Sequence, residues 1–460
     1  MEKKRSKWAS GIGFILAAAG SAVGVGNIWK FPGKVGAYGG GVFLLTYFIV
    51  VVVLGLVLML GELALGRHTE KNVVGAFASI SKKWKFVGYL SVITPFVILS
   101  YYSVVGGWVM KYISVYLFGG NFGGGATQYQ DYFLGFIAKP LEPIFWTALF
   151  LGLTIFVVMK GVTRGIEKMS KVLMPFFFLL IVGIVIRSVT LPGAGAGLKF
   201  MLTIDPSRFT RDTLVIAIGQ AFYSLSLGMG IMIPYGSYLS KNENMVKSST
   251  WVCVLDTLVA TLAAFAIIPV VYATLGEDGL GMGGMFAFVA LPNVFASIPG
   301  GSIVGLVFFT LLFVAAWTSA ISLLEGCIAF VSEEFKVERS KATLMLALPM
   351  LILGSLYSLT QVAFDWKMPW FDFAGGFQMK AIGTVMELFT DNLMVPLNAL
   401  LTCIFVGWVW GAKNAAAEIE NGSKVFSRFK KVWIVCVRYI APAIITLILY
   451  LTFVRGMALS

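Results

Sequence analysis

The polar residues inside this chain's apolar stretches are few, and three groups of them could do chemistry. The first is the run GSAVGVGN at positions 20–27, where three glycines and Asn27 interrupt an otherwise apolar segment. Glycines in that number weaken a helix interior. A helix opened there turns backbone carbonyls toward a cation and a half-helix N-terminus toward an anion. The second is YSLSLGMG at 223–230, which places Ser224, Ser226, Gly228 and Gly230 at the centre of another apolar segment. The third is Asp256 in WVCVLDTLVATLAAF, a segment with no basic residue. A carboxylate at that depth is costly unless something compensates it. Each group has a plainer reading beside it. Gly20 and Gly24 have the GxxxG spacing of a helix-packing face. Thr318 and Ser319, in AAWTSAISLLEG, have hydroxyls of the kind that bond their own preceding turn. Cys253, Cys327, Cys403 and Cys436 are scattered without a CxxC spacing and read as small buried hydrophobes. His68, the only histidine, stands at a segment end beside Arg67, which argues against a histidine-based metal site.

The elements that must position these groups follow from composition. The chain has 460 residues, 58% hydrophobic and 12% charged; a soluble domain carries about twice that charge fraction. Apolar runs of about 18 residues or more recur throughout, each long enough to cross a bilayer. They are continuously apolar rather than alternating, which excludes a β-barrel. The fold class is therefore an all-α polytopic membrane protein. Eleven spans are expected, near 10–36, 41–66, 88–117, 143–160, 169–190, 213–238, 245–275, 301–331, 342–359, 383–411 and 433–454. The basic start MEKKRSKW resembles a signal peptide, but the apolar run behind it continues into the multi-span pattern. The net charge of +13 reads through topology and not as a nucleic-acid surface. Lys and Arg concentrate in the N-terminal tail and the loops on its side, which places the N-terminus in the cytoplasm and, with eleven spans, the C-terminus outside. The two interrupted segments are the first and the sixth, the same place in two successive groups of five. Such a pair is the sequence pointer to a transporter site at the bilayer midplane.

At this point the chain resembles a known family. RSKWASGIGFILAAAGSAVGVGNIWKFPGKVGAYGGGVFLLTY is similar to the opening of the neurotransmitter:sodium symporters, bacterial branch. The similarity continues through GELALGR, SYYSVVGGW, RGIEKMSKVLMP, GQAFYSLSLGMG, AAWTSAISLLEG and VRYIAPA. The rule about paired broken helices rests partly on a bacterial member of that family, so it is not separate support. The resemblance implies a five-plus-five inverted-repeat fold with discontinuous helices 1 and 6. The first repeat would be 1–190, the second, inverted, 191–411, and the extra eleventh helix 412–460. It implies a multi-pass protein of the bacterial cytoplasmic (inner) membrane, surrounded by lipid, that is not an enzyme. It would work by alternating access and symport sodium with a neutral amino acid. The sequence carries no signal for oligomeric state.

By the same resemblance two sodium ions would bind. The first site would use the carbonyl of Ala22, the side chain of Asn27, both oxygens of Ser224, Asp256 and the substrate carboxylate, so ion and substrate favour each other reciprocally. The second would use the carbonyls of Gly20, Val23 and Ala315 with the hydroxyls of Thr318 and Ser319. Chloride-dependent members have Asn where this chain has Asp256, and Ser where it has Ala260. Here the carboxylate would stand in for chloride, and transport would be chloride-independent. The substrate pocket would comprise Ser21, Ala22, Gly26, Ile98, Tyr102, Tyr223, Ser224, Ser226, Met229, Ser319 and Leu323. Its side-chain half is apolar, which suits neutral, mainly hydrophobic amino acids, and Met229 can adapt to bulky ones. Arg5, Trp8, Tyr238 and Glu333 would form the inner gate. Tyr102 and Tyr223 would form the outer lid, with Lys30 paired to Glu387 above it. Lys30 stands where the family usually has Arg and cannot make Arg's bidentate bond. Gly165 and Pro175 match a pattern that unwinds helix 5 toward the second sodium; a simple proline kink is the equal alternative. The rival readings are a proton-coupled amino-acid transporter of similar fold, and a channel or non-transporting amino-acid sensor.

Overall fold

The computed structural model describes residues 7–119, 122, 127–275, 286–372 and 376–455. Nine of the helices in this part are long and apolar enough to span a bilayer: Gly41–Thr69, Lys82–Leu117, Glu142–Met159, Val162–Val189, Met245–Thr274, Gly301–Glu334, Arg339–Leu359, Ile382–Val409 and Phe426–Phe453. A tenth span is the bent pair Gly11–Ala22 and Gly26–Ala37, whose halves meet at 55°. The helices Arg211–Ser224 and Met232–Ser237, with an unwound stretch between them, make the remaining one. Numbered along the chain, these are spans 1 to 11, and each overlaps an expected segment.

Span 3 (Lys82–Leu117) and span 8 (Gly301–Glu334) lie along one another and form the interior wall. Span 1 packs against spans 5, 7 and 8, and the two halves of span 6 pack on span 2. The broken helices therefore sit in the middle of the bundle. The outer face of span 9 shows Leu344, Met345, Leu348 and Ile352 well exposed, a run suited to hydrocarbon and not to water. All four cysteines are free and buried, as expected of small apolar side chains.

The connections between spans carry structure that the sequence reading did not anticipate: short helices such as Val73–Ile80 and Ala412–Glu420, and between spans 9 and 10 an antiparallel hairpin of β1 (Lys367–Asp372) and β2 (Gly376–Ala381). Its strands are too short to show a convincing alternation in the sequence, and Pro369 argues against a strand there except at an edge. A two-stranded hairpin has two edges, so the proline is tolerated.

Candidate functional site

Span 1 winds regularly to Ala22, after which Val23 is extended (φ −70°, ψ 95°). The chain re-enters through an i→i+5 turn over Gly26–Lys30, a winding that recurs at functional sites. The glycines here answer to crowding. A Cβ on Gly24 would stand 3.0 Å from Ser319 Oγ and 3.2 Å from Tyr102 Oη, and one on Gly26 would stand 2.9 Å from the Tyr223 ring. In span 6 the chain turns left-handed three times, at Ser226 (φ 54°), Gly228 (φ 69°) and Gly230 (φ 68°). Glycine takes such angles without strain and Ser226 takes them at a cost, so YSLSLGMG is not helical through these positions.

Opening a helix in a dry interior leaves backbone groups to be satisfied. The Gly228 N–H donates to Glu62 Oε1 at 2.9 Å, and the Ser21 carbonyl accepts from Ser226 Oγ at 3.0 Å. Glu62 is 1% exposed. It belongs to the GELALGR motif but drew no role from the sequence. Its signal, a lone carboxylate in an apolar run, was the same as that of Asp256.

The residues of the first expected ion site meet in one buried cluster. Asn27 Nδ2 donates to Ser224 Oγ at 2.9 Å and to Asp256 Oδ1 at 2.7 Å. The Ser224 hydroxyl lies 2.9 and 2.8 Å from the two Asp256 oxygens. Tyr47, which sequence reasoning missed, brings its hydroxyl to 3.2 Å from Asp256 Oδ2 and from Ser224 Oγ. Asp256 is fully buried, and no Lys or Arg among the described residues makes an ion pair with it. An amide, two hydroxyls and one uncompensated carboxylate form a set of hard oxygen donors short of one positive charge. The second expected set also converges. Ser319 Oγ lies 3.4, 3.0 and 3.3 Å from the carbonyls of Gly20, Ser21 and Val23. Thr318 Oγ1 donates back to Val314 and Ala315, at 3.0 and 3.1 Å. That is the ordinary back-bond of a helix threonine, and it leaves the hydroxyl's lone pairs able to accept a cation.

Between the two clusters is a cavity. Its wall is made by Ser21, Ala22, Gly24, Gly26, Asn27, Ile98, Tyr102, Tyr223, Ser226, Met229, Ser319 and Leu323. Ten of the eleven expected pocket residues line it. Ser224 does not: it stands behind the wall, held in the Asn27–Asp256 cluster. The Tyr102 hydroxyl is fixed by the Val25 N–H at 3.2 Å. Behind Ser21, the unanticipated Ser322 accepts from its hydroxyl at 2.7 Å.

Tyr223 also lines a second cavity, together with Lys30, Lys34, Gln220 and Asp391, so its ring partitions the two. The Lys30 ammonium is 5.2 Å from the centre of that ring. The partner expected for Lys30 was Glu387, and the structure corrects this: Lys30 Nζ is 3.7 Å from Asp391 Oδ2, while Glu387 accepts from the Tyr357 hydroxyl at 2.5 Å. The two carboxylates are one turn apart on one helix face. Tyr357 holds the first, and Tyr101, donating at 2.9 Å, orients the second toward the lysine.

At the opposite end, Trp8 Nε1 donates to the Tyr235 carbonyl at 3.0 Å, and the Trp8 ring packs edge-on against Tyr235 and Tyr238. Tyr238 donates to Glu325 at 2.8 Å, and Glu325 pairs with Arg339. Glu333 accepts from the Asn72 backbone and side chain, both at 2.9 Å. Arg5 lies outside the described residues. Gly165 sits in an i→i+5 turn, Val162–Glu167, at the start of span 5, and the helix runs unbroken through Pro175.

The sodium:neurotransmitter symporter family model matches residues 5–119 and 139–459. The uncharacterized sodium-dependent transporter YhdH of Bacillus subtilis is 33% identical over 453 residues, 97% of each chain. The sodium- and chloride-dependent taurine transporter of Bos taurus is 25% identical, covering 91% of this chain and 73% of its own length. Among solved structures, that of MhsT in complex with L-phenylalanine matches with a TM-score of 0.86 and 38% identity, over 96% of this chain and 99% of that one. The two broken helices, the paired oxygen clusters and the cavity between them thus sit in a chain that belongs to the sodium:neurotransmitter symporter family, a family of multi-pass sodium-dependent transporters.

Proposed function

We propose that the protein symports sodium with neutral, mainly hydrophobic amino acids by alternating access, without a need for chloride. The observation that carries this reading is the cavity between the two oxygen clusters. Its wall offers a fixed tyrosine hydroxyl (Tyr102) and opened backbone together with the apolar side chains of Ile98, Met229 and Leu323. An α-carboxylate and α-amine suit the polar groups, and an uncharged apolar side chain suits the apolar ones. The phenylalanine bound in MhsT supports the same substrate class.

Asn27, Ser224, Asp256 and the Ala22 carbonyl would hold one sodium ion; Gly20, Val23, Ala315, Thr318 and Ser319 would hold the other. The fit is chemical: a small hard cation takes oxygen ligands, and the buried Asp256 carboxylate supplies the charge that chloride would otherwise bring. Tyr223 and the Lys30–Asp391 pair would close the outer path, and Trp8, Tyr235 and Tyr238 the inner one. Winding and unwinding at Gly165, below Pro175, would open the inner route to the second ion. The repeats would divide at about 190 and 411, in the bacterial inner membrane, with the N-terminus cytoplasmic and the C-terminus outside.

Uptake into proteoliposomes filled with potassium tests this directly. A panel of labelled neutral amino acids should accumulate only when sodium is outside, and equally with gluconate in place of chloride. Accumulation driven by an acid exterior without sodium would move the answer to proton coupling, and a strict chloride requirement would remove the role given to Asp256.

A further inference from the structure

We propose that the start of span 11, together with the end of span 10, forms a binding site for the headgroup phosphate of an anionic phospholipid, organised by Arg438. This arginine lies inside an apolar span and is only half-buried, on a face that looks toward lipid. A charge in that position is costly unless an anion meets it. The guanidinium is held on two sides. Its Nε donates to the Gly407 carbonyl at 2.8 Å, and its plane lies 5.3 Å from the Trp408 ring. Trp408 in turn donates from Nε1 to the Arg438 carbonyl at 3.3 Å and stacks edge-on with Tyr439 at 5.4 Å. The two terminal nitrogens, Nη1 and Nη2, make no hydrogen bond or ion pair among the described residues. A guanidinium fixed through Nε with both terminal nitrogens unbonded among the described residues can bind a phosphate bidentately.

The surroundings point to a lipid and not to a free anion. Arg428 and Lys431 precede Arg438 by ten and seven residues on the same span. Both are exposed, and neither side chain has an ion pair among the described residues. Lys430, by contrast, is matched by Glu420 at 2.6 Å. The sequence has no Asp or Glu from 421 to its end, so nothing on this helix neutralises the stripe. Beside it runs an apolar one: Phe429, Val432, Val435 and Tyr439 are 59%, 61%, 46% and 54% exposed. Basic groups with exposed apolar and aromatic side chains next to them match a phosphate and its acyl chains together. Under the proposed topology this is the cytoplasmic leaflet.

Native mass spectrometry of the full-length protein in neutral detergent, titrated with phosphatidylglycerol or phosphatidylcholine, tests the site. The wild type should bind phosphatidylglycerol the more tightly. Arg438→Gln and Lys431→Gln should each weaken that binding about fivefold, and leave phosphatidylcholine binding unchanged. Arg438→Gln also removes the Gly407 bond. If that variant fails to fold, Lys431→Gln, which touches no protein partner, decides alone. Equal affinity for the two lipids, or wild-type phosphatidylglycerol affinity in Lys431→Gln, would overturn the proposal. Displacement of phosphatidylglycerol by millimolar inorganic phosphate would overturn it too, by showing an anion site indifferent to lipid.

Discussion

Asp256→Asn is the sharpest perturbation of the site, because it changes one charge and almost no shape. The carboxylate is buried, accepts hydrogen bonds from Asn27, Ser224 and Tyr47 at 2.7 to 3.2 Å, and has no basic side chain for a partner among the described residues. If a sodium ion is its counter-charge, the amide forfeits most of that attraction. Two unit charges about 4 Å apart interact by about 4 kcal/mol at an effective dielectric near 20. The amide oxygen still coordinates, so a net loss of about 2–3 kcal/mol is expected, or a sodium affinity weaker by about 30- to 150-fold. The sodium-free protein should not suffer: an uncompensated buried charge is itself costly, and its removal relieves that cost. The two effects have opposite signs, which makes the assay selective. Thermal unfolding would be followed against sodium at constant ionic strength with choline. At a sodium concentration 100 times the wild-type Kd, the ion stabilises by about 2.7 kcal/mol; a hundredfold weaker Kd leaves about 0.4 kcal/mol at that concentration. The variant should therefore melt no lower than wild type in choline and keep only the sodium stabilisation that the second site supplies. A wild-type sodium shift in Asp256→Asn would refute the assignment. Adding Ala260→Ser to this variant should make sodium stabilisation depend on chloride.

Other substitutions test neighbouring parts. Tyr102→Phe removes the hydroxyl that the Val25 N–H fixes at 3.2 Å; substrate KM should rise about tenfold, worth one charge-assisted hydrogen bond, with the choline melting temperature unchanged. Gly26→Ala puts a methyl group 2.9 Å from the Tyr223 ring, so the outer lid cannot settle; uptake should be lost while the purified protein still melts cooperatively. Asp391→Asn should slow uptake and Glu387→Gln should do so less, because Lys30 pairs with the former at 3.7 Å; the reverse order would restore Glu387 as the gate partner. Arg339→Gln leaves Glu325, which is fully buried, without its partner. A loss of about 3 kcal/mol is expected, and a double-mutant cycle with Glu325→Gln should recover part of it.

How much of this was legible in the sequence depends on whether a feature is carried by local chemistry or by long-range packing. The spans were legible because a bilayer demands continuous apolar length, and the residues that satisfy it are consecutive. The broken helices were legible for the same local reason: left-handed turns at Gly228 and Gly230 and the crowding at Gly26 each require glycine where it stands. Tyr47 and Ser322 were not, since a tyrosine or serine in an apolar segment looks the same whether it meets Asp256 or its own helix turn. Their roles exist only once spans 1, 2, 6, 7 and 8 are assembled. The expectation that Lys30 meets Glu387, where the structure has Asp391, failed on the same ground. One helical turn separates them, both face Lys30, and the deciding contacts come from Tyr357 and Tyr101 on two other spans. Spacing can therefore locate an acidic partner to within a turn, but the side chains packed around the two carboxylates settle which one the lysine meets. Arg438 is the complementary case. Its position in an apolar span was visible, yet only the assembled fold shows its Nε bound to Gly407 and its guanidinium beside the Trp408 ring. A charge that the fold fixes in place and that makes no ion pair among the described residues is better explained by a ligand than by packing.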